Sequence, residues 1–94
     1  MQTVRISGVD YTIIMKTTEE MGGGIGLANF NTQEIWLNSN STKQTLKIAK
    51  WHEVIHMLDH AYGLDMTETQ VKFLTHAFVA LLEDNPGIVE FFKN

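Results

Sequence analysis

The first forty residues change between apolar and polar positions with a short period. Val4, Ile6 and Val9 are interleaved with polar residues, and Tyr11-Thr12-Ile13-Ile14-Met15 is rich in β-branched and aromatic types. Gly8-Val9-Asp10 lies between the two runs, which predicts two short strands joined by a turn. Ile25 to Phe30 reads as a third strand and Phe30-Asn31-Thr32-Gln33 as a turn. Glu34 to Asn38 reads as a fourth strand, with Ile35 and Leu37 on one face and Glu34, Trp36 and Asn38 on the other. The run Met21-Gly22-Gly23-Gly24-Ile25-Gly26 precedes a strand and no Lys-Ser or Lys-Thr pair follows it. A phosphate cradle would need both a following helix and such a pair, so this run is read as a flexible loop.

After Asn40 the period lengthens to that of a helix. Ser41-Thr42-Lys43-Gln44 fits a capping box with Ser41 as the cap, and a helix is predicted from Thr42 to Tyr62. Gly63 stands where a left-handed C-terminal cap belongs. Thr67-Glu68-Thr69-Gln70 is a second capping box, opening a helix from Glu68 to Glu83. Its apolar arc is Val71, Leu74, Phe78 and Leu81, with Glu68 at the border. Asn85-Pro86 offers an N-cap and a first-turn proline for a short helix, Pro86 to Phe92, whose Phe91 and Phe92 are expected to close one end of the core. Strands followed by helices predict an α+β domain: a short N-terminal antiparallel sheet of three to four strands, two long helices and a short C-terminal helix.

Composition narrows the chemistry. The 94 residues are read as one domain, 1–94, whose small core a bound metal would help to stabilise. There is no Cys, which excludes disulfides, thiolate metal sites and a Cys nucleophile, and fits a reducing cytoplasm. Any metal must be held by His and carboxylate. The net charge of −4 disfavours nucleic acid as a partner. No apolar run has bilayer length and the first residues lack a secretory layout, so no membrane association is expected.

Residues 52–56 read His-Glu-Val-Ile-His, an HExxH pattern inside the first predicted helix. Two His one turn apart project from one face, so both imidazoles can reach a single Zn2+. Glu53 is offset from them and is placed to act as general base on a water at the metal. On a helical projection His52, Glu53, His56, Asp59 and His60 fall within one arc of about 120°, separate from Lys43 and Lys50. This polar stripe borders an apolar arc of Ile48, Trp51, Val54, Ile55, Leu58 and Tyr62.

A zinc site needs a third protein ligand. Three candidates stand open: Glu68, Asp59 and His60. Glu68 ranks first, because a carboxylate arriving from a second helix can complete a tetrahedron. Asp59 is better suited to hydrogen-bond a ligand His, fixing its tautomer. His60 is roughly 12 Å along the axis from His52 and would ligate only if the helix broke. His76 is read as solvent-exposed. Its functional role would be to stabilise an oxyanion, a role equally open to Tyr62 and Tyr11, for both of which core packing is the preferred reading.

The strand ending IWLNSN, the helix carrying WHEVIHMLDHAYGL and the helix opening TETQVKFLTHAF resemble small phage and bacterial zinc metallopeptidase-like domains of the ImmA/IrrE type and the minigluzincins. The resemblance spans roughly residues 25–90. It implies a zincin-like fold and a zinc-dependent peptidase acting on a peptide or protein substrate. One zinc would be held by His52, His56 and Glu68, with Glu53 as base. It also implies that an upstream strand, Ile35-Trp36-Leu37-Asn38, forms the edge of the cleft and pairs with substrate. The alternative is a non-catalytic zinc-binding interaction module. A protein partner or a homo-oligomer is left open, with Trp36 and the strand edge as a contact.

Overall fold

The computed structural model describes residues 2–93. Four strands come first: β1 (Gln2–Ile6), β2 (Val9–Lys16), β3 (Gly26–Asn29) and β4 (Glu34–Asn38). Three helices follow: α1 (Lys43–Tyr62), α2 (Glu68–Asp84) and α3 (Ile88–Lys93). The α+β class is as expected, but the sheet is mixed rather than antiparallel. Its order is β1-β2-β4-β3, and the central β2–β4 pair is parallel. The β3–β4 hairpin docks with its second strand inward, placing β4 between β2 and β3.

One face of this sheet packs on α1. Ile6, Tyr11, Ile13, Ile35 and Leu37 meet Ala49, Val54 and Met57 in a single cluster. Ile35 and Met57 are wholly shielded from solvent, so truncating either would leave a cavity at the centre of the contact between the sheet and α1. Among the described residues, no helix is long and apolar enough to cross a membrane.

The helix ends follow local chemistry with one shift. Thr42, not Ser41, caps α1: its Oγ1 accepts from the Thr45 amide at 3.2 Å. Gly63 takes the left-handed conformation expected of it, with φ 61°, and ends α1. The Thr67–Gln70 capping box forms in both directions and starts α2. Asn85 closes α2 instead of opening α3, donating from Nδ2 to the Leu81 carbonyl.

α2 is rolled by about 80° from the orientation its apolar arc predicts. The buried ridge is Val71, Thr75 and Val79, with the Thr75 hydroxyl donating to the Val71 carbonyl at 2.7 Å. These small residues let the helix approach α1 closely, and Phe78 contacts Trp51 edge-on. Leu74 and Leu81 are left exposed, as are Phe91 and Phe92 of α3, so neither phenylalanine closes the core. The roll carries a second stripe, Glu68, Lys72 and His76, toward α1.

Candidate metal centre

His52 and His56 stand one turn apart on the middle of α1, and their rings meet edge to face with centroids 4.7 Å apart. Their Nε2 atoms are 3.1 Å apart. Glu68, in the first turn of α2, reaches both: Oε1 lies 2.8 Å from His52 Nε2, and Oε2 lies 3.4 Å from His56 Nε2. Among the described residues these three alone form a His/Asp/Glu cluster whose donor atoms converge. A tetrahedral zinc with bonds of about 2.0–2.2 Å sets its donor atoms roughly 3.3–3.5 Å apart. Two imidazole nitrogens and a carboxylate at 2.8–3.4 Å therefore fit the donor set such an ion takes. The Glu68 side chain is 69% exposed, so the cluster opens to solvent on that side.

The turn between the helices delivers Glu68. Gly63 donates its amide to the Asp59 carbonyl, and Asp59 Oδ1 accepts from the Met66 amide at 3.1 Å. Asp59 thus folds the chain back toward α1 instead of joining the cluster or bonding a ligand imidazole. His60 is also apart from it, with its ring stacked on Phe30 at 4.0 Å between centroids.

Glu53 is buried, at 6% exposure, yet lines the cleft beside the two imidazoles. Desolvation pushes its carboxyl above the usual carboxylate range. The positive forms of His56 and His52 pull it down, and Glu68 pushes it up. Gly26 at the start of β3 covers it. A Cβ at position 26 would lie 3.2 Å from Glu53 Cγ and 3.3 Å from Oε2.

The cleft has a volume of about 650 Å3. Its floor is α1, from Thr45 to His56; one wall is the segment Gly23–Gly26, and the other is Glu68, Lys72 and His76. The glycine wall is a hydrogen-bonded turn. Gly23 donates to the Thr18 carbonyl at 2.9 Å, with φ 87° that favours glycine. The Asn38 side chain donates to the Gly24 carbonyl at 2.9 Å and accepts from the Asn40 amide. Asn38 is therefore buried.

The edge strand also differs from expectation. β4 (Ile35, Trp36, Leu37, Asn38) pairs on both sides and has no free edge for a substrate. The outer strands are β1 and β3, and of the two it is β3 that lines the cleft. The hairpin reading identified the two strands but not which of them lies outermost. Sequence reasoning also missed Gly26 and Lys72 as cleft residues. An i, i+4 step from Glu68 reaches Lys72 and then His76, so that much could have been found. His76 is exposed as expected and lines the cleft. Tyr11 is in the core and Tyr62 is exposed at the end of α1, and neither lines the cleft. Comparisons with protein-family models, curated proteins and solved structures each return no match.

Proposed function

We propose that this chain is a zinc-dependent peptidase. The observation that carries the reading is the convergence of His52, His56 and Glu68 in a cleft that also presents a buried, unligated Glu53. Zinc, when bound, supplies Lewis-acid polarisation of a carbonyl and eases ionisation of a water. His52 and His56 would hold it through Nε2 and Glu68 through its carboxylate. Glu53 takes a proton from the attacking water at a carboxylate oxygen, then returns it to the leaving amine nitrogen. The outer edge of β3 offers backbone groups to an extended peptide, which would add to the sheet as a further strand.

The test is hydrolysis of an unstructured polypeptide by the zinc-loaded protein, read as new amino termini, beside Glu53→Gln. Zinc-dependent cleavage lost in the variant supports the reading. Equal cleavage by both, or none by either, contradicts it.

Gly26 supplies a second check. Its backbone conformation is open to any residue, so Gly26→Ala tests the contact with Glu53 alone. The added methyl displaces the carboxylate by a few tenths of an ångström, and kcat falls roughly tenfold with zinc content unchanged. An unaltered kcat would mean that the position of Glu53 does not matter to the reaction.

A second reading, a zinc-binding interaction module, is favoured by the exposed apolar side chains of α2 and α3, among them Phe73, Leu74, Phe91 and Phe92. Apolar surface on that scale is characteristic of protein contacts. In that case a partner or a second copy covers this face, and zinc is bound without hydrolysis.

A further inference from the structure

The α2 wall of the cleft carries two groups that the reaction does not use. Lys72 and His76 follow Glu68 at intervals of one turn and line the same cleft. Among the described residues neither has an ion-pair partner, whereas Lys47 is paired with Glu83 and Lys93 with Glu90. The same cleft is also lined by Ile25, Ile48 and Ala49, which offer no competing charge. The domain as a whole is acidic, so unpaired hydrogen-bond donors on this wall run against its general charge.

Their place along the cleft follows from the directions of its walls. β3 runs the same way as α1: Gly26 faces Glu53, and Phe30, just beyond β3, stacks on His60. α2 runs the opposite way, with Glu68 at His52 and Glu83 at Lys47. His76 therefore lies toward the Thr45 end of the cleft, about 12 Å along the helix from Glu68. A peptide pairing antiparallel with β3, the more stable mode, enters from the Phe30 end and leaves toward the Thr45 end. Its residues C-terminal to the scissile bond then pass Lys72 and His76. At about 3.4 Å per extended residue, and given the reach of both side chains, the second or third residue comes level with them.

Resting on the peptidase reading, we propose that Lys72 and His76 form a carboxylate-recognising subsite on the leaving-group side. This subsite selects substrates with an acidic side chain or a free C-terminal carboxylate at about the second residue after the cleaved bond. The Lys72 ammonium and a His76 ring N–H both donate to the anion, and charge-assisted bonds of this kind are stronger than neutral ones.

The subsite can be tested without turnover. Three probes share a zinc-binding succinyl hydroxamate, whose succinyl unit stands in for the first residue after the cleaved bond. They carry Glu amide, Gln amide or Gln with a free carboxylate. Affinities are measured calorimetrically on the zinc-loaded and zinc-free protein. The acidic probes are expected to bind the zinc-loaded protein roughly tenfold tighter than Gln amide. In Lys72→Gln/His76→Gln that ratio should fall below about twofold. Tight binding of the Glu amide alone assigns the site to a side chain; tight binding of the free acid alone assigns it to a C-terminus. Zinc-dependent binding of all three probes with no preference for charge overturns the subsite and leaves the metal centre standing. No zinc-dependent binding of any probe overturns both.

Discussion

Glu53→Gln is expected to retain zinc and to lose at least about 100-fold in kcat, the low end of what a positioned general base contributes. The amide matches the carboxylate in shape, so the contact with Gly26 and the burial beneath β3 are kept. What disappears is a group able to accept a proton. Loss of zinc from this variant would instead make Glu53 a ligand, which its separation from the converging His52, His56 and Glu68 donors argues against. The same substitution has a second signature in metal-free protein. Desolvation raises the Glu53 carboxyl above its unfolded value, so the folded state binds this proton more tightly than the unfolded state does. Stability from this group is present below the unfolded value and is lost as pH rises through the raised folded value. Glu53→Gln abolishes that titration. Thermal melts of the metal-free proteins should therefore show the variant gaining on the wild type as pH rises through this window. The difference should shrink toward acid pH.

Zinc itself should produce the largest change in stability. A ligand that binds only the folded state at 100 times its Kd adds about 2.7 kcal/mol. For a domain of this size that corresponds to a rise in Tm on the order of 10–20 °C. The gain should be large here because the donors come from two helices, joined by a turn that Asp59 and Gly63 hold, so binding ties α2 to α1. Removing either a nitrogen or the carboxylate leaves two protein ligands, too few for a stable zinc site. In His56→Ala and Glu68→Ala the rise should fall to a small fraction of the wild-type value. Melts with and without zinc read this directly. A wild-type Tm indifferent to zinc would mean that the cluster does not bind the ion.

Much of this arrangement is legible in the residues. The Thr67 capping box and Gly63 set the ends of the two long helices because their chemistry is local, and the structure realises both. HExxH on a helix fixes the relation of His52, Glu53 and His56 for the same reason. The cap of α1 moved by one residue because Ser41 and Thr42 are both competent caps. Features that depend on long-range packing were not legible. Period-2 alternation marks β3 and β4 as strands but says nothing of which neighbour β4 takes, so the parallel pairing with β2 and the outer place of β3 went unseen. Hydrophobicity points α2 at Leu74, Phe78 and Leu81. Close approach to α1 instead selects the smaller Val71, Thr75 and Val79. That roll brings Lys72 and His76 to the cleft, and the i, i+4 step from Glu68 is its one local sign. Asn38 reads as a strand residue on the face opposite Ile35 and Leu37, with no sign that its amide is spent on pinning the glycine wall.

The proposed chemistry requires that His52, His56 and Glu68 hold one metal ion. The most direct test is the metal content of the purified protein by elemental mass spectrometry, beside His56→Ala and Glu68→Ala, each after exposure to zinc and desalting. About one zinc per chain is expected in the wild type and almost none in either variant. A wild type that holds no metal after zinc is supplied would contradict the proposal, as would variants that retain zinc at the wild-type level.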